Sequence, residues 1–377
     1  MDINTRLAQI GNKIDPNGAI SFPVYHSATF AHPALGESTG FDYSRSSNPT
    51  RQVLEDAVAQ IEGGSKGFAF SSGMAAISTL LTLFKPQDHL IVTEDLYGGT
   101  YRLIQSVFTK YGIEVSFVDT SDLESVERAI RPNSRAIICE SPTNPILRIT
   151  DLKRLVELAK VNNILCIVDN TFMTPYLQRP IEFGADIVIH SATKYLGGHN
   201  DVIAGLVVVK DQELADKVCF LQNAMGAVLG PQDSWLLIRG LKTLGLRMAA
   251  QEKNAGEIAQ WLTDHPLVEK VYYPGLVGHQ GHHIQKEQAS GFGAIVSFQL
   301  KHLELVSEVL KRVKIVSFAE SLGGVESLIT YPWTQTHSDI PVETRERTGV
   351  NDRLLRMSVG IETAQDLIND LSQAIVE

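Results

Sequence analysis

Between residues 67 and 209 the chain repeats one pattern, a short apolar run followed by a longer segment whose apolar residues fall at helical spacing. The runs cover residues 68–70, 89–92, 115–118, 136–138, 165–168, 187–190 and 205–209. Runs this uniformly apolar suit strands covered on both faces, because neither face then meets water. Strands that alternate with helices are joined by crossovers, so the expected architecture is α/β, a mainly parallel sheet with helices on both sides. Sheets of this kind bind ligands beyond the carboxyl ends of their strands. The residues that follow each run are therefore the ones to read for chemistry.

Lys194 is the most informative of them. It lies in Ser191-Ala192-Thr193-Lys194, directly after the run 187–190, where its amine would emerge at a strand end. Burial there favours the neutral amine, the form that condenses with a carbonyl, and the hydroxyls of Ser191 and Thr193 with the glycines after them suit a phosphate. An isolated lysine in such a sequence is more often a solvated loop residue. Asp169 shifts the balance, because it closes the run 165–168 and so puts a carboxylate at the same edge. An amine and an acid at two strand ends meet the needs of pyridoxal phosphate, which condenses with a lysine and works best with its ring nitrogen kept protonated. Ser71-Ser72-Gly73-Met74 joins a strand to a helix, where free N–H groups bind phosphate, although small residues there also serve tight packing. Tyr97 and Asn144 follow two further runs. A noncatalytic α/β protein that binds a small anion would explain the glycine-rich turns, but not a buried lysine paired with an aspartate.

The stretches 168–175 (VDNTFMTP) and 190–201 (HSATKYLGGHND) resemble the signature of the Cys/Met-metabolism family of pyridoxal-phosphate enzymes. That family includes cystathionine γ-synthases, γ-lyases and β-lyases and methionine γ-lyases. The resemblance runs from about Lys13 to the last helix, and residues 222–239 are close to the synthase-like members. It implies a type I aminotransferase-like fold, pyridoxal phosphate as cofactor and a small amino acid as substrate. Residue by residue it implies that Lys194 is the cofactor-binding and catalytic lysine and that Tyr97 stacks on the ring and takes part in catalysis. It gives the phosphate to Gly73, Met74, Ser191 and Thr193, and the ring nitrogen to Asp169. Tyr43 and Arg45 are expected to reach the cofactor phosphate of a neighbouring subunit, with Tyr43 also near substrate. Asn144, Ser321 and Arg356 are expected at the substrate carboxylate. Glu320 is expected at the far end of the substrate, where cystathionine carries its second ammonium. Family γ-synthases and γ-lyases often have glutamate there, whereas some β-lyases have an aromatic residue. The expected main activity is therefore cystathionine γ-elimination with overlapping γ-synthase and β-lyase capacity; γ-synthase or O-acetylhomoserine (thiol)-lyase, and β-lyase, are the alternatives. Residues 330–337 (TYPWTQTH) depart from the commoner family wording, which leaves the pocket open to difference there.

Length and punctuation suggest three parts in a chain of 377 residues. Residues 1–55 are broken repeatedly by proline and glycine and read as an extended arm that docks on a neighbouring subunit, residues 56–245 as the cofactor-binding domain, and residues 246–377 as a smaller α/β domain with strands at 294–300 and 354–359. A dimer with shared sites follows, and a homotetramer is expected. The formal net charge of −10 disfavours nucleic acid, and no apolar run has the length of a membrane span, so a cytoplasmic enzyme is expected. Cys139 and Cys166 lie inside apolar runs, as buried thiols do, and no disulfide framework follows. His279, His282 and His283 lack a neighbouring carboxylate or thiolate, so a solvated loop is expected rather than a metal site.

Overall fold

The computed structural model describes residues 1–338 and 340–377. Seven strands form the larger sheet: β1 (Lys66–Phe70), β2 (His89–Thr93), β3 (Glu114–Val118), β4 (Ser134–Glu140), β5 (Leu165–Asp169), β6 (Ile187–Ser191) and β7 (Gly205–Val209), in the order β1-β7-β6-β5-β4-β2-β3. β2, β3, β4, β5 and β6 pair in parallel, whereas β7 is antiparallel to both β6 and β1. The reversal has a local cause, since residues 192–204 contain no helix to carry the chain back across the sheet. Two reversals restore the direction of β1. Phe70, Thr93, Glu140, Asp169 and Ser191 therefore all end strands at one edge.

Both faces of this sheet are dry. Ile138, Ile167, Ile187, Ile189 and Val207 pack into one core, while Ile137, Cys139, Cys166 and Val168 pack into another on the opposite face. Each buried aliphatic side chain contributes about 1.5–3 kcal/mol, so the uninterrupted apolar runs are the sheet's main source of stability.

Three helices open the chain. Helix α1 (Ile3–Ala8) comes first, and α2 (Pro49–Glu62) is capped by the Asn48 side chain, which accepts from the N–H groups of Thr50 and Arg51 at 3.0 and 3.3 Å. Helix α3 (Gly73–Leu81) follows β1 and is capped by the Ser72 hydroxyl, which accepts from Ala75 N at 3.0 Å. The boundary expected at 55/56 thus falls inside α2. Nor is the arm wholly detached, for Leu7, Ile10 and Phe22 are buried in the main core. Residues 26–47 carry no helix or strand and are largely exposed, as the run of proline and glycine implies.

The second sheet lies in the C-terminal part: β8 (Val268–Tyr272), β9 (Ile295–Leu300), β10 (Ser317–Phe318), β11 (Leu328–Thr330) and β12 (Leu354–Ser358), ordered β10-β11-β12-β9-β8. The boundary expected at 245/246 falls in the first turn of the helix Leu244–Thr263. Asp370 anchors the turn before β10 by accepting from the N–H groups of Lys314, Ile315 and Val316 at 2.8–3.1 Å, which fixes the approach to Glu320 and Ser321. The histidine-rich stretch is not the solvated loop expected. His279 Nε2 meets the Leu147 carbonyl at 2.8 Å, and His282 is buried, stacks on Phe292 and meets the Pro274 carbonyl, so packing accounts for these two rings, while His283 is exposed as expected. Among the described residues no helix is long and apolar enough to cross a membrane.

Candidate active site

The strand ends converge on a cavity of about 810 Å³ that is closed on its other side by residues of the second sheet. From the larger sheet come Ser72, Gly73, Met74, Tyr97, Asn144, Asp169, Ser191, Thr193 and Lys194; from the second come Glu320, Ser321 and Arg356. Eleven of the thirteen residues expected in the site are thereby brought together. Tyr43 and Arg45 are not. Tyr43 is 48% exposed, and the Arg45 guanidinium bonds Asn223 Oδ1 at 3.1 Å, away from the cavity of its own chain.

One end of the cavity is built for an anion. Gly73 and Met74 are the first residues of α3, where their N–H groups have no carbonyl of the helix to bond. A Cβ on Gly73 would lie 3.1 Å from the Ser191 Cβ, and one on Gly205 would run into the Ser72 carbonyl, so only glycines let α3 approach the ends of β6 and β7 this closely. The Ser191 main chain is fixed by its own N–H, which donates to Thr171 Oγ1 at 2.8 Å. The Thr193 hydroxyl faces Ala204, accepting from its N–H at 3.0 Å.

Asp169 Oδ1 accepts from Thr171 N at 3.0 Å, and burial pushes its carboxyl above the usual range. Glu140 ends the adjoining strand in direct register with Asp169 and accepts from the Tyr97 N–H at 3.1 Å. Burial, with the Asp169 charge acting in the same direction, holds the Glu140 carboxyl well above its ordinary value. Glu140 is not among the residues expected from sequence, although it closes a buried apolar run just as Asp169 does. Thr171 and Thr336, which also line the cavity, carried no comparable signal.

Lys194 Nζ lies 3.0 Å from Ser321 Oγ. Burial lowers its pKa to about 8; the Arg356 charge adds to this and Glu320 opposes it. Ser321 adopts φ +92°, a left-handed backbone that a serine keeps only where its surroundings impose it. Arg356, 2% exposed on β12, donates to Asn144 Oδ1 at 2.8 Å, to the Ser321 carbonyl at 3.0 Å and to Thr330 Oγ1 at 3.2 Å. None of these partners is an acid, and Nε has no partner among the described residues. A buried guanidinium held only by neutral groups is a receptor for an anionic ligand such as a carboxylate.

An anion cradle, an acid at a neighbouring strand end and an amine shifted toward neutrality fit pyridoxal phosphate. Gly73 and Gly205 let the start of α3, with its free N–H groups, lie against the ends of β6 and β7, where the phosphate of that cofactor would sit.

Residues 4–376 match the model of the family described as Cys/Met metabolism PLP-dependent enzyme. The chain is 53% identical over 361 residues to a cystathionine γ-lyase of Bacillus subtilis (strain 168), covering 96% of this chain and 95% of that one. It is 53% identical over 376 residues to a cystathionine γ-synthase/O-acetylhomoserine (thiol)-lyase of the same organism, covering 100% and 96%. A cystathionine β-lyase of Lactococcus lactis subsp. cremoris is 51% identical over 358 residues, with 95% and 94% covered. The crystal structure of cystathionine γ-lyase from Lactobacillus plantarum complexed with L-serine superimposes with a TM-score of 0.96 at 46% identity, covering 100% of this chain and 99% of that one. With a family match along nearly its whole length and a type I fold whose strand-end lysine, acid and anion cradle share one cavity, the chain belongs to the Cys/Met metabolism family of PLP-dependent enzymes.

Proposed function

We propose that the main reaction is γ-elimination of cystathionine to cysteine, 2-oxobutyrate and ammonia, with γ-replacement and β-elimination as lesser activities. Glu320 carries this reading. It is an exposed acid on the cavity wall beside Ser321, it makes no ion pair among the described residues, and a distal ammonium on the substrate would complement it. The second reading is γ-replacement on an O-acylhomoserine, favoured by the 53% identity to the γ-synthase/(thiol)-lyase along the whole chain.

When bound, pyridoxal phosphate supplies an electron sink for charge released at the substrate Cα. The chain's residues do the rest. The N–H groups of Gly73 and Met74 and the hydroxyls of Ser191 and Thr193 hold the phosphate, Asp169 keeps a proton on the ring nitrogen, and Tyr97 covers the ring. Arg356, Asn144 and Ser321 fix the substrate carboxylate, which orients the Cα proton toward Lys194. An amine with a pKa of about 8 is matched to taking that proton near neutral pH. Elimination at Cγ needs a second proton to leave Cβ, and Lys194 Nζ serves again once it has handed the first proton on, steadied by Ser321 Oγ. Elimination at Cβ needs only the first.

The site is completed by a second copy of the chain. Residues 1–55 form the arm that delivers Tyr43 and Arg45 to the neighbour's phosphate cradle, residues 56–245 form the cofactor-binding unit, and residues 246–377 form the unit that carries Arg356. The exposure of Tyr43 and its absence from its own cavity support this arrangement. Two such dimers pair into a homotetramer, and the enzyme works in the cytoplasm.

Three outcomes are expected. With cystathionine, the wild type forms 2-oxobutyrate faster than pyruvate, and Glu320→Ala raises the KM for cystathionine by about tenfold, the equivalent of about 1.4 kcal/mol, but leaves that for O-acetylhomoserine nearly unchanged. Equal losses for both substrates would remove Glu320 from recognition of the distal group. Mixing Arg45→Ala with Lys194→Ala chains, each inactive alone, restores part of the activity because each mixed dimer holds one intact site; no recovery in verified heterodimers would place Arg45 in its own subunit's site. In the cofactor-free chain, labelling of Lys194 by trinitrobenzenesulfonate rises with pH and is half-maximal near pH 8, since the neutral amine reacts and burial lowers its pKa to about 8. A midpoint near that of ordinary surface lysines, read by peptide mass spectrometry, would contradict the perturbed amine.

A further inference from the structure

We propose that His337 is a positioning residue for the substrate-carboxylate grip, fixing the main chain of Asn144 and, through it, the side-chain oxygen that aligns Arg356. The inference rests on the reading of Arg356 as the carboxylate ligand. His337 lies in the stretch 330–337, and it is 1% exposed. Its Nε2 lies 2.9 Å from the Asn144 carbonyl and its Nδ1 lies 2.8 Å from Thr336 Oγ1. A carbonyl only accepts, so Nε2 carries the hydrogen and Nδ1 accepts from the Thr336 hydroxyl. The ring is thereby held as one neutral tautomer. Burial keeps it so by driving its pKa to about 4; the bond to Asn144 opposes that shift, and the charges of Arg356 and Arg345 support it.

The turn that carries His337 is cross-linked by its own hydrogen bonds and packs against residues of the larger sheet's unit. Gln335 closes it by donating its N–H to the Tyr331 carbonyl at 3.2 Å and accepting from Tyr331 N at 2.8 Å, and His337 N donates to the Pro332 carbonyl at 3.1 Å. The Arg345 guanidinium stacks 4.0 Å over the Trp333 ring and bonds the Trp333 carbonyl. A Cβ on Gly98 would strike the Thr336 carbonyl, so the turn lies directly against the start of the helix Gly98–Ser106. Just beyond the turn, Arg347 pairs with Glu94, and Arg148 Nη2 donates to the Thr348 carbonyl at 3.0 Å.

Asn144 needs such a partner because the grip spans two sheets. Its neighbours are held on either side, Thr143 through Oγ1 to Asp95 at 2.6 Å and Pro145 through its carbonyl to Ser297 Oγ at 2.6 Å. Between them, a turn of the Asn144 peptide would carry Oδ1 away from Arg356 Nη1. The bond from His337 stops it. His337 therefore does for Asn144 what Ser321 does for Lys194, without touching substrate.

The test uses the holoenzyme and its His337→Ala, His337→Gln, His337→Asn and Arg356→Lys variants. For each, the dissociation constant of glycine, a plain α-amino acid, is read from the change it causes in the visible band of the cofactor, beside KM and kcat for cystathionine and O-acetylhomoserine and the thermal midpoint. His337→Ala is expected to weaken glycine and raise both KM values by a common factor of about ten, with a smaller change in kcat. His337→Gln, whose amide N–H reaches as far as Nε2, restores most of the loss, and the shorter His337→Asn does not. An unchanged glycine constant in folded His337→Ala overturns the inference, as does equal glycine affinity in the Gln and Asn variants, a comparison that stands even where His337→Ala does not fold. Arg356→Lys separates the two levels: if it leaves glycine binding intact, the carboxylate reading itself fails, whereas weakened binding in Arg356→Lys with none in His337→Ala leaves that reading standing and removes only the role of His337.

Discussion

A buried guanidinium whose hydrogen bonds all go to neutral groups is the constraint around which this site is arranged. Arg356 sits on the middle strand of the second sheet, 2% exposed, with a side-chain amide, a carbonyl and a hydroxyl as its acceptors. Desolvation lowers its pKa to about 10, yet that still leaves it charged at neutral pH. A buried charge without an ion-pair contact is costly, and the chain offsets part of that cost with three neutral hydrogen bonds and the more distant charges of Glu140 and Glu320. In the proposed function, the substrate carboxylate supplies the missing ionic partner.

The same charge reaches the amine. Arg356 helps to lower the pKa of Lys194, so the group proposed to fix the substrate also shifts the proposed base toward neutrality. Ser321 joins the two, its carbonyl accepting from Arg356 and its hydroxyl 3.0 Å from Lys194, and its left-handed backbone is what allows both contacts from one residue. The strand edge of the larger sheet supplies the acid, the amine and the anion cradle. The second sheet and the loop after β10 supply the cation and Glu320. Neither sheet alone holds all of these groups.

Much of this was legible because the larger sheet is buried on both faces. Its strands had to be continuous apolar runs, so each was found, and the residues closing the runs marked Lys194 and Asp169. The reversal of β7 was not legible, since an apolar run carries no direction. β8 was missed because Glu269 and Lys270 are exposed on an edge strand and interrupt its apolar character, and β10 and β11 are too short to leave a pattern. Glu140 obeyed the rule that revealed Asp169 and went unread among the polar residues after it. His337 lay beyond sequence reasoning for a different reason: its partner Asn144 is 193 residues away, and the bond runs to a main-chain carbonyl, which any residue type would offer.

The amine just beyond β6 is the group on which the proposed chemistry depends most directly. Borohydride reduction of the purified holoenzyme, followed by proteolysis and peptide mass spectrometry, should fix the pyridoxyl group on the peptide that contains Lys194, in a yield close to one per chain. A pyridoxyl group on any other lysine, or an unmodified Lys194 in fully reduced enzyme, would contradict it.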